Sequence, residues 1–194
     1  MKNYREDILN NFIERYEKSS YYKGKSLKPQ KISIVLHERY PQYGQSRYPE
    51  VLEKIEDVVL QLEKEDLIQF AKGSIEGNRK LIFVPTEERV SKIYQELDRT
   101  PLKEKRNQYL NCLKMYELDS FFNDFQIAME EKVFNYEIVS PYLKVYDQED
   151  LKNVMKILQG MKNQKEEISF RKFSEKVLGD TKKLEKYKNK IVLD

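Results

Sequence analysis

Apolar positions recur along most of this chain at helical spacing and alternate in two short stretches. Ile8, Leu9, Phe12, Ile13 and Tyr16 mark an amphipathic helix over 5–18. A polar stretch with Gly24 and Pro29 follows, and Ile32, Val35 and Leu36 then predict a second short helix, ended near Pro41 and Gly44. Pro49 suits the first turn of a third helix, which Ser46 or Tyr48 precedes. Its apolar face is Val51, Leu52, Ile55, Val58, Val59 and Leu62. Two strand-like runs come next, Leu67 to Ala71 and Lys80 to Val84, separated by the turn-forming Gly73-Ser74-Ile75-Glu76-Gly77-Asn78. Three helices followed by a hairpin is the winged-helix order, with the wing over about 67–84. Pro85-Thr86 opens a further helix bearing Val90, Ile93, Tyr94 and Leu97.

From Pro101 the pattern is helical throughout. Leu102, Tyr109, Leu110, Leu113 and Tyr116 form one apolar set, and Phe121, Phe122, Phe125, Ile127, Met129, Val133 and Phe134 another. Pro141 interrupts. Asp147 is placed as an N-cap for a helix carrying Leu151, Val154, Met155 and Leu158. This stretch is expected to be a helical arm rather than a globule. Ile168, Phe170, Phe173 and Val177 then lie on one helix, and Gly179-Asp180-Thr181 stops it and starts a basic helix over 182–190 with Leu184 and Tyr187 inward. The expected fold is mainly α with a small β-hairpin wing. It divides into a winged-helix domain (1–97), a helical arm (101–165) and the beginning of a second, truncated helix-turn-helix unit (166–194).

Composition narrows the chemistry. Apolar residues are 39% of the 194, below the usual ~45–50%. Cys112 is the only cysteine and His37 the only histidine, which excludes an internal disulfide framework, a Cys/His zinc site and, with nothing around His37 to support one, a Ser-His-Asp triad. The expected setting is a reducing one, the cytoplasm. No stretch free of Asp, Glu, Lys and Arg exceeds seven residues, so no membrane span is expected. Gly24-Lys25-Ser26 lacks the earlier glycine and the preceding strand of a phosphate-binding loop, and reads as basic linker.

The net charge of +3 hides a strong asymmetry. Residues 18–47 carry seven cations against Glu38 alone, residues 50–70 carry seven acids against two lysines, and residues 162–190 carry ten cations against five acids. The third helix, with Glu50, Glu53, Glu56, Asp57, Glu63 and Glu65, is therefore a poor reader of the major groove. Backbone contact through the basic loop and wing, or a protein–protein role, fits it better. The candidate DNA-contacting residues are Lys72, Arg79 and Lys80 on the wing, and Arg171, Lys172, Lys182, Lys183, Lys186, Lys188 and Lys190 toward the C-terminus. On an α-helix Lys182, Lys186 and Lys190 would form one stripe.

The run Phe173 through Val177-Leu178-Gly179-Asp180-Thr181-Lys182 to Leu184-Glu185 closely resembles the central region of the JetD family, the nuclease subunits of Wadjet anti-plasmid systems. Ile8-Leu9-Asn10 to Arg15-Tyr16-Glu17-Lys18-Ser19 and Tyr40-Pro41-Gln42-Tyr43 look like that family's N-terminus. The resemblance implies an architecture similar to the DNA-cleaving subunit of topoisomerase VI. N-terminal and helical arm regions would precede a CAP-like winged helix, and a Toprim domain beyond residue 194 would hold the catalytic acids with Mg or Mn. It implies no catalytic residue, metal site or cofactor in the present chain. The partners it implies are DNA and the condensin-like Wadjet ATPase complex, and a second copy of the chain is a further candidate. The function expected is the DNA-holding and docking region of a nuclease subunit that takes part in cleaving closed circular DNA. The alternative is a stand-alone winged-helix transcription regulator with a helical dimerisation arm.

Overall fold

The computed structural model describes residues 3–115, 120–137, 143 and 146–188, with side chains from 123 in the second of these segments. Tyr116, Pro141 and residues 189–194, Lys190 among them, lie outside the described residues, as do the side chains of Phe121 and Phe122. The chain divides into two compact units, 1–100 and 101–194.

In the first unit, helix α1 (Tyr4–Lys18) starts at Asn3, whose side chain accepts from the Glu6 N–H, and buries Ile8, Leu9, Phe12 and Ile13. Strand β1 (Ile32–Val35) leads directly into the single turn α2 (Leu36–Arg39). Helix α3 (Pro49–Lys64) has proline in its first turn and buries Ile55, Val59 and Leu62. Strands β2 (Gln69–Phe70) and β3 (Lys80–Phe83) follow, and then helix α4 (Glu87–Glu96), capped by Thr86. The sheet is antiparallel in the order β1-β3-β2, pairing Ile32 with Phe83 and Val35 with Lys80 on one side, and Gln69 with Ile82 and Phe70 with Leu81 on the other.

The structure has the mainly helical fold with a small β wing that the pattern predicts. The hairpin pairs as expected, although Leu67 and Ile68 enter the core instead of the ladder. The secondary structure expected ahead of α3 is corrected. Residues 32–35 are a strand and not part of a helix. Ile32 and Ile34 are buried on one side of β1 while Ser33 and Val35 lie on the other, the period of two that a pleated strand imposes. The β-branched side chains pack well there.

The second unit contains α5 (Leu102–Lys114), α6 (Ser120–Phe134), α7 (Gln148–Asn163), α8 (Phe170–Leu178) and a 3₁₀ helix (Lys183–Tyr187). Tyr109, Cys112 and Leu113 of α5 share one core with Met129 and Val133 of α6, Leu151, Val154, Met155 and Ile157 of α7, and Leu184 and Tyr187. Phe170, Phe173, Val177 and Leu178 of α8 pack against it. The described residues of 101–165, expected as a helical arm rather than a globule, therefore form one body with α8 and the 3₁₀ helix. Their apolar stripes find partners on α8 and the 3₁₀ helix. Gly160 permits the contact: a Cβ there would lie 2.5 Å from a Val177 methyl.

The wing is seated by an equally close approach. Gly44, in the turn between α2 and α3, has φ +79°, and a Cβ on it would lie 2.1 Å from the Gly77 carbonyl oxygen. Gly24 also has positive φ, but its Cβ would meet nothing. Gly44→Ala is therefore expected to cost about 2–5 kcal/mol, the sum of left-handed strain and overpacking. Gly24→Ala should cost only about 1–2 kcal/mol. Urea unfolding of both variants checks the difference; equal losses would contradict the seating of the wing.

Candidate nucleic-acid interface

The wing is fastened to α3 by one carboxylate. Glu56 sits among the apolar positions of α3 with its side chain 8% exposed. It accepts from the Tyr43 hydroxyl at 2.5 Å, from Arg79 Nε at 2.6 Å and from the Gly77 N–H at 3.3 Å. The Arg79 guanidinium also lies 4.3 Å from the centre of the Phe70 ring. Arg79 is thus occupied on its own fold and is not a free phosphate contact, a correction to the wing expected from sequence. Glu56 is likewise removed from the acidic face of α3. Glu50, Glu53, Asp57 and Glu63 remain exposed on that helix, interrupted by Lys54 and Lys64. Lys72 and Lys80 stand exposed on the wing, and no ion pair among the described residues holds either.

The same division of labour runs through the first unit. Five of its seven arginines are in ion pairs: Arg5 with Glu65 and Glu96, Arg39 with Asp7, Arg79 with Glu56, Arg89 with Asp66, and Arg99 with Glu17. Arg15 donates to the Ser33 carbonyl at 2.7 Å. The rigid guanidinium fork suits such multi-point contacts. Of the described lysines in this unit only Lys92 is paired, with Glu88 four residues earlier. Glu17 is buried and also accepts from the Tyr94 hydroxyl at 2.9 Å. These networks were not anticipated from the sequence. Helical spacing carried a signal, since Glu56 follows Leu52 by four residues and Glu17 follows Ile13 by four, placing each carboxylate on a core stripe.

In the second unit a locked turn presents the C-terminal cations. Ser169 caps α8, and Gly179 ends it in the left-handed conformation at φ 69°. The Asp180 carboxylate accepts from the N–H groups of Lys182 at 2.7 Å and Lys183 at 3.1 Å. Those backbone N–H groups, Lys182 first, favour its charged form and hold its pKa below the ordinary aspartate range. The buried Ser174 hydroxyl donates to the Asp180 carbonyl and accepts from the Leu184 N–H at 3.1 Å. The segment after this turn is 3₁₀, not α. At three residues per turn positions 183 and 186 align, so Lys182 and Lys186 do not share the α-helical stripe expected of them, and Lys190 lies outside the described residues. Lys183 pairs with Glu149 at 3.3 Å. Lys183 and Lys186 line a cleft of about 300 Å³ with Asp147, Glu149, Asp150, Asn153 and Tyr187. Arg171, Lys172, Lys182 and Lys188 remain exposed and outside any ion pair among the described residues.

No protein family, curated protein or solved structure matches this chain. Among the described residues no cluster of His, Cys, Asp and Glu could hold a metal ion, and no helix is long and apolar enough to cross a membrane.

Glu56→Gln leaves Arg79 without its counter-charge in a mostly buried site, so stability should fall by about 3 kcal/mol, measured by urea unfolding. A loss under about 0.5 kcal/mol would contradict the anchoring role. A second outcome concerns alkali. Burial, and then the neighbouring carboxylates of Asp7, Glu56 and Glu17, push the phenols of Tyr40, Tyr43 and Tyr94 upward. Their protonated forms are favoured in the fold, so this stability is complete below the unfolded value of ~10 and is lost as pH rises beyond it. Absorbance at 295 nm should show these phenols ionising only with unfolding. Full ionisation of all tyrosines near pH 10, with the fold intact, would contradict the burial.

Proposed function

We propose that this chain is a DNA-holding and complex-docking region of a Wadjet-type nuclease subunit, acting in the cleavage of closed circular DNA without performing the chemistry itself. The observation that carries the DNA-holding part is the exposed cation set of Arg171 and Lys172 at the start of α8 and Lys182 and Lys188 beyond its end, all left outside any ion pair among the described residues. Such a set neutralises phosphates and releases counterions without reading bases. The nuclease context is supported by the resemblance of Phe173–Glu185 to JetD proteins. In that context the acidic outer side of α3 belongs to docking on the condensin-like ATPase complex, because phosphates would repel it. The same acids disfavour a stand-alone regulator that reads operators through α3. The metal chemistry, with Mg or Mn, would belong to a Toprim domain of the parent protein.

The purified chain should bind random duplex DNA with Kd of order 10⁻⁴–10⁻⁶ M at physiological salt. The Arg171→Gln, Lys172→Gln, Lys182→Gln, Lys188→Gln variant should bind more weakly. Its log–log salt slope should be shallower by about 3–4, at ~0.9 per lost contact. Supercoiled plasmid should remain uncut with magnesium or manganese. Unchanged affinity and slope in the variant would remove these residues from the DNA-holding role. Metal-dependent linearisation abolished by changing one of the chain's own acids would overturn the non-catalytic reading.

A further inference from the structure

We infer that the loop joining α1 to β1, residues 19–31, is a second and separate site for the phosphate backbone of duplex DNA, engaged through Lys18, Lys23, Lys25, Lys28 and Lys31. The choice of DNA as the polyanion rests on the DNA-holding role proposed above; the existence of the site rests on the loop itself. No aspartate or glutamate occurs from Lys18 to His37, while five lysines do. The acid nearest in sequence, Glu17, is turned into the core and occupied by Arg99 and Tyr94, so it does not neutralise its neighbours. Lys18, Lys25, Lys28 and Lys31 are exposed and Lys23 half-buried, and among the described residues none of the five ammonium groups has a hydrogen-bond or ion-pair partner.

The loop is built to display them. Tyr22, 3% exposed, packs edge-on against Tyr16 at 5.1 Å between ring centres. The Ser19 hydroxyl donates to the Tyr16 carbonyl at 2.6 Å and accepts from the Tyr22 N–H at 3.2 Å. Gly24 N–H donates to Tyr21 at 3.0 Å and Lys25 N–H to Ser20 at 2.8 Å, which continues the helix end as a tight turn. Ser26 then bonds both backbone groups of Lys28. Fixed charges lose less freedom on binding than charges on a disordered tail.

Position separates this site from the wing. β1 enters the sheet from the loop at Ile32, opposite Phe83, and reaches the wing end only at Val35, opposite Lys80. At about 3.3 Å per residue that sets the loop roughly 10 Å along the strand from the wing end. The ligand class follows from what the loop lacks. A stable protein interface needs an apolar centre, and the one large apolar side chain fully exposed here is Leu27, at 99%. A lone leucine also gives little hold on a lipid surface, where binding scales with buried apolar area. Point charges without an apolar centre suit a polyelectrolyte backbone.

The test is fluorescence anisotropy of the full chain on a random duplex at two salt concentrations. It uses Lys25→Gln, Lys28→Gln, Lys31→Gln and, as control, the same positions changed to Arg. Removing three contacts should make the salt slope shallower by about 2.7, so the wild-type advantage shrinks ~40-fold over a fourfold rise in salt. The arginine variant should bind like wild type, and thermal midpoints should stay unchanged because these ammonium groups make no bonds among the described residues. Loss of binding to phosphatidylserine vesicles or to a polyglutamate peptide, with duplex binding intact, would overturn the inference. So would unchanged duplex affinity and slope; the C-terminal cations could then still account for the DNA-holding role. A wild-type chain that binds no duplex at all would overturn both.

Discussion

The buried Glu56 carboxylate is the interaction on which the first unit turns. A charge inside α3 is costly unless it is paired and hydrogen-bonded, and here a phenol, a guanidinium and a backbone N–H all donate to it. The donors come from two segments: Tyr43 from the turn before α3, and Gly77 and Arg79 from the wing. The wing is thereby set against the 41–44 turn closely enough that two glycines face each other across it. Hydrophobic burial alone, being non-directional, would not specify that seat.

Pairing arginines with the fold's own acids has a consequence for the outer surface. Once Arg79 and Arg99 are committed to the buried Glu56 and Glu17, and Arg5, Arg39 and Arg89 to acids at the surface, the positive charge left unpaired among the described residues of this unit is carried mainly by lysines. Lysine is a hydrated point charge on a flexible stem, well matched to phosphates and poorly matched to bidentate reading of base edges. Acids left on α3 sharpen the division, since the helix that reads bases in many winged-helix proteins is the one phosphates would avoid here. That partition supports the proposed sequence-independent holding.

Much of the architecture was legible because α1, α3, α4 and α7 carry long apolar stripes, and because the 73–78 turn lies between two strand-like runs. β1 was missed for physical reasons. Four residues show only two periods of alternation, the following Leu36 extends a helical spacing, and the partner strand lies more than forty residues away. The arm became a body because periodicity reveals that a helix has an apolar face but not what covers it. The 3₁₀ segment depends on Ser174 and Asp180 capturing the N–H groups of Leu184, Lys182 and Lys183, a tertiary constraint that lysine-rich composition cannot display. The candidate cations were partly legible: Lys72, Lys80, Arg171, Lys172, Lys182 and Lys188 are exposed, whereas Arg79 and Lys183 are paired internally.

The claim that lysines outside α3 hold a DNA backbone is tested most directly by mapping lysine acetylation, by mass spectrometry, with and without saturating duplex DNA. Protection is expected at Lys25, Lys28 and Lys31 and at Lys182 and Lys188, with Lys54 and Lys64 on α3 reacting as in the free protein. Protection of Lys54 and Lys64, with the loop and C-terminal lysines reacting freely, would show that α3 faces the DNA and would contradict the account.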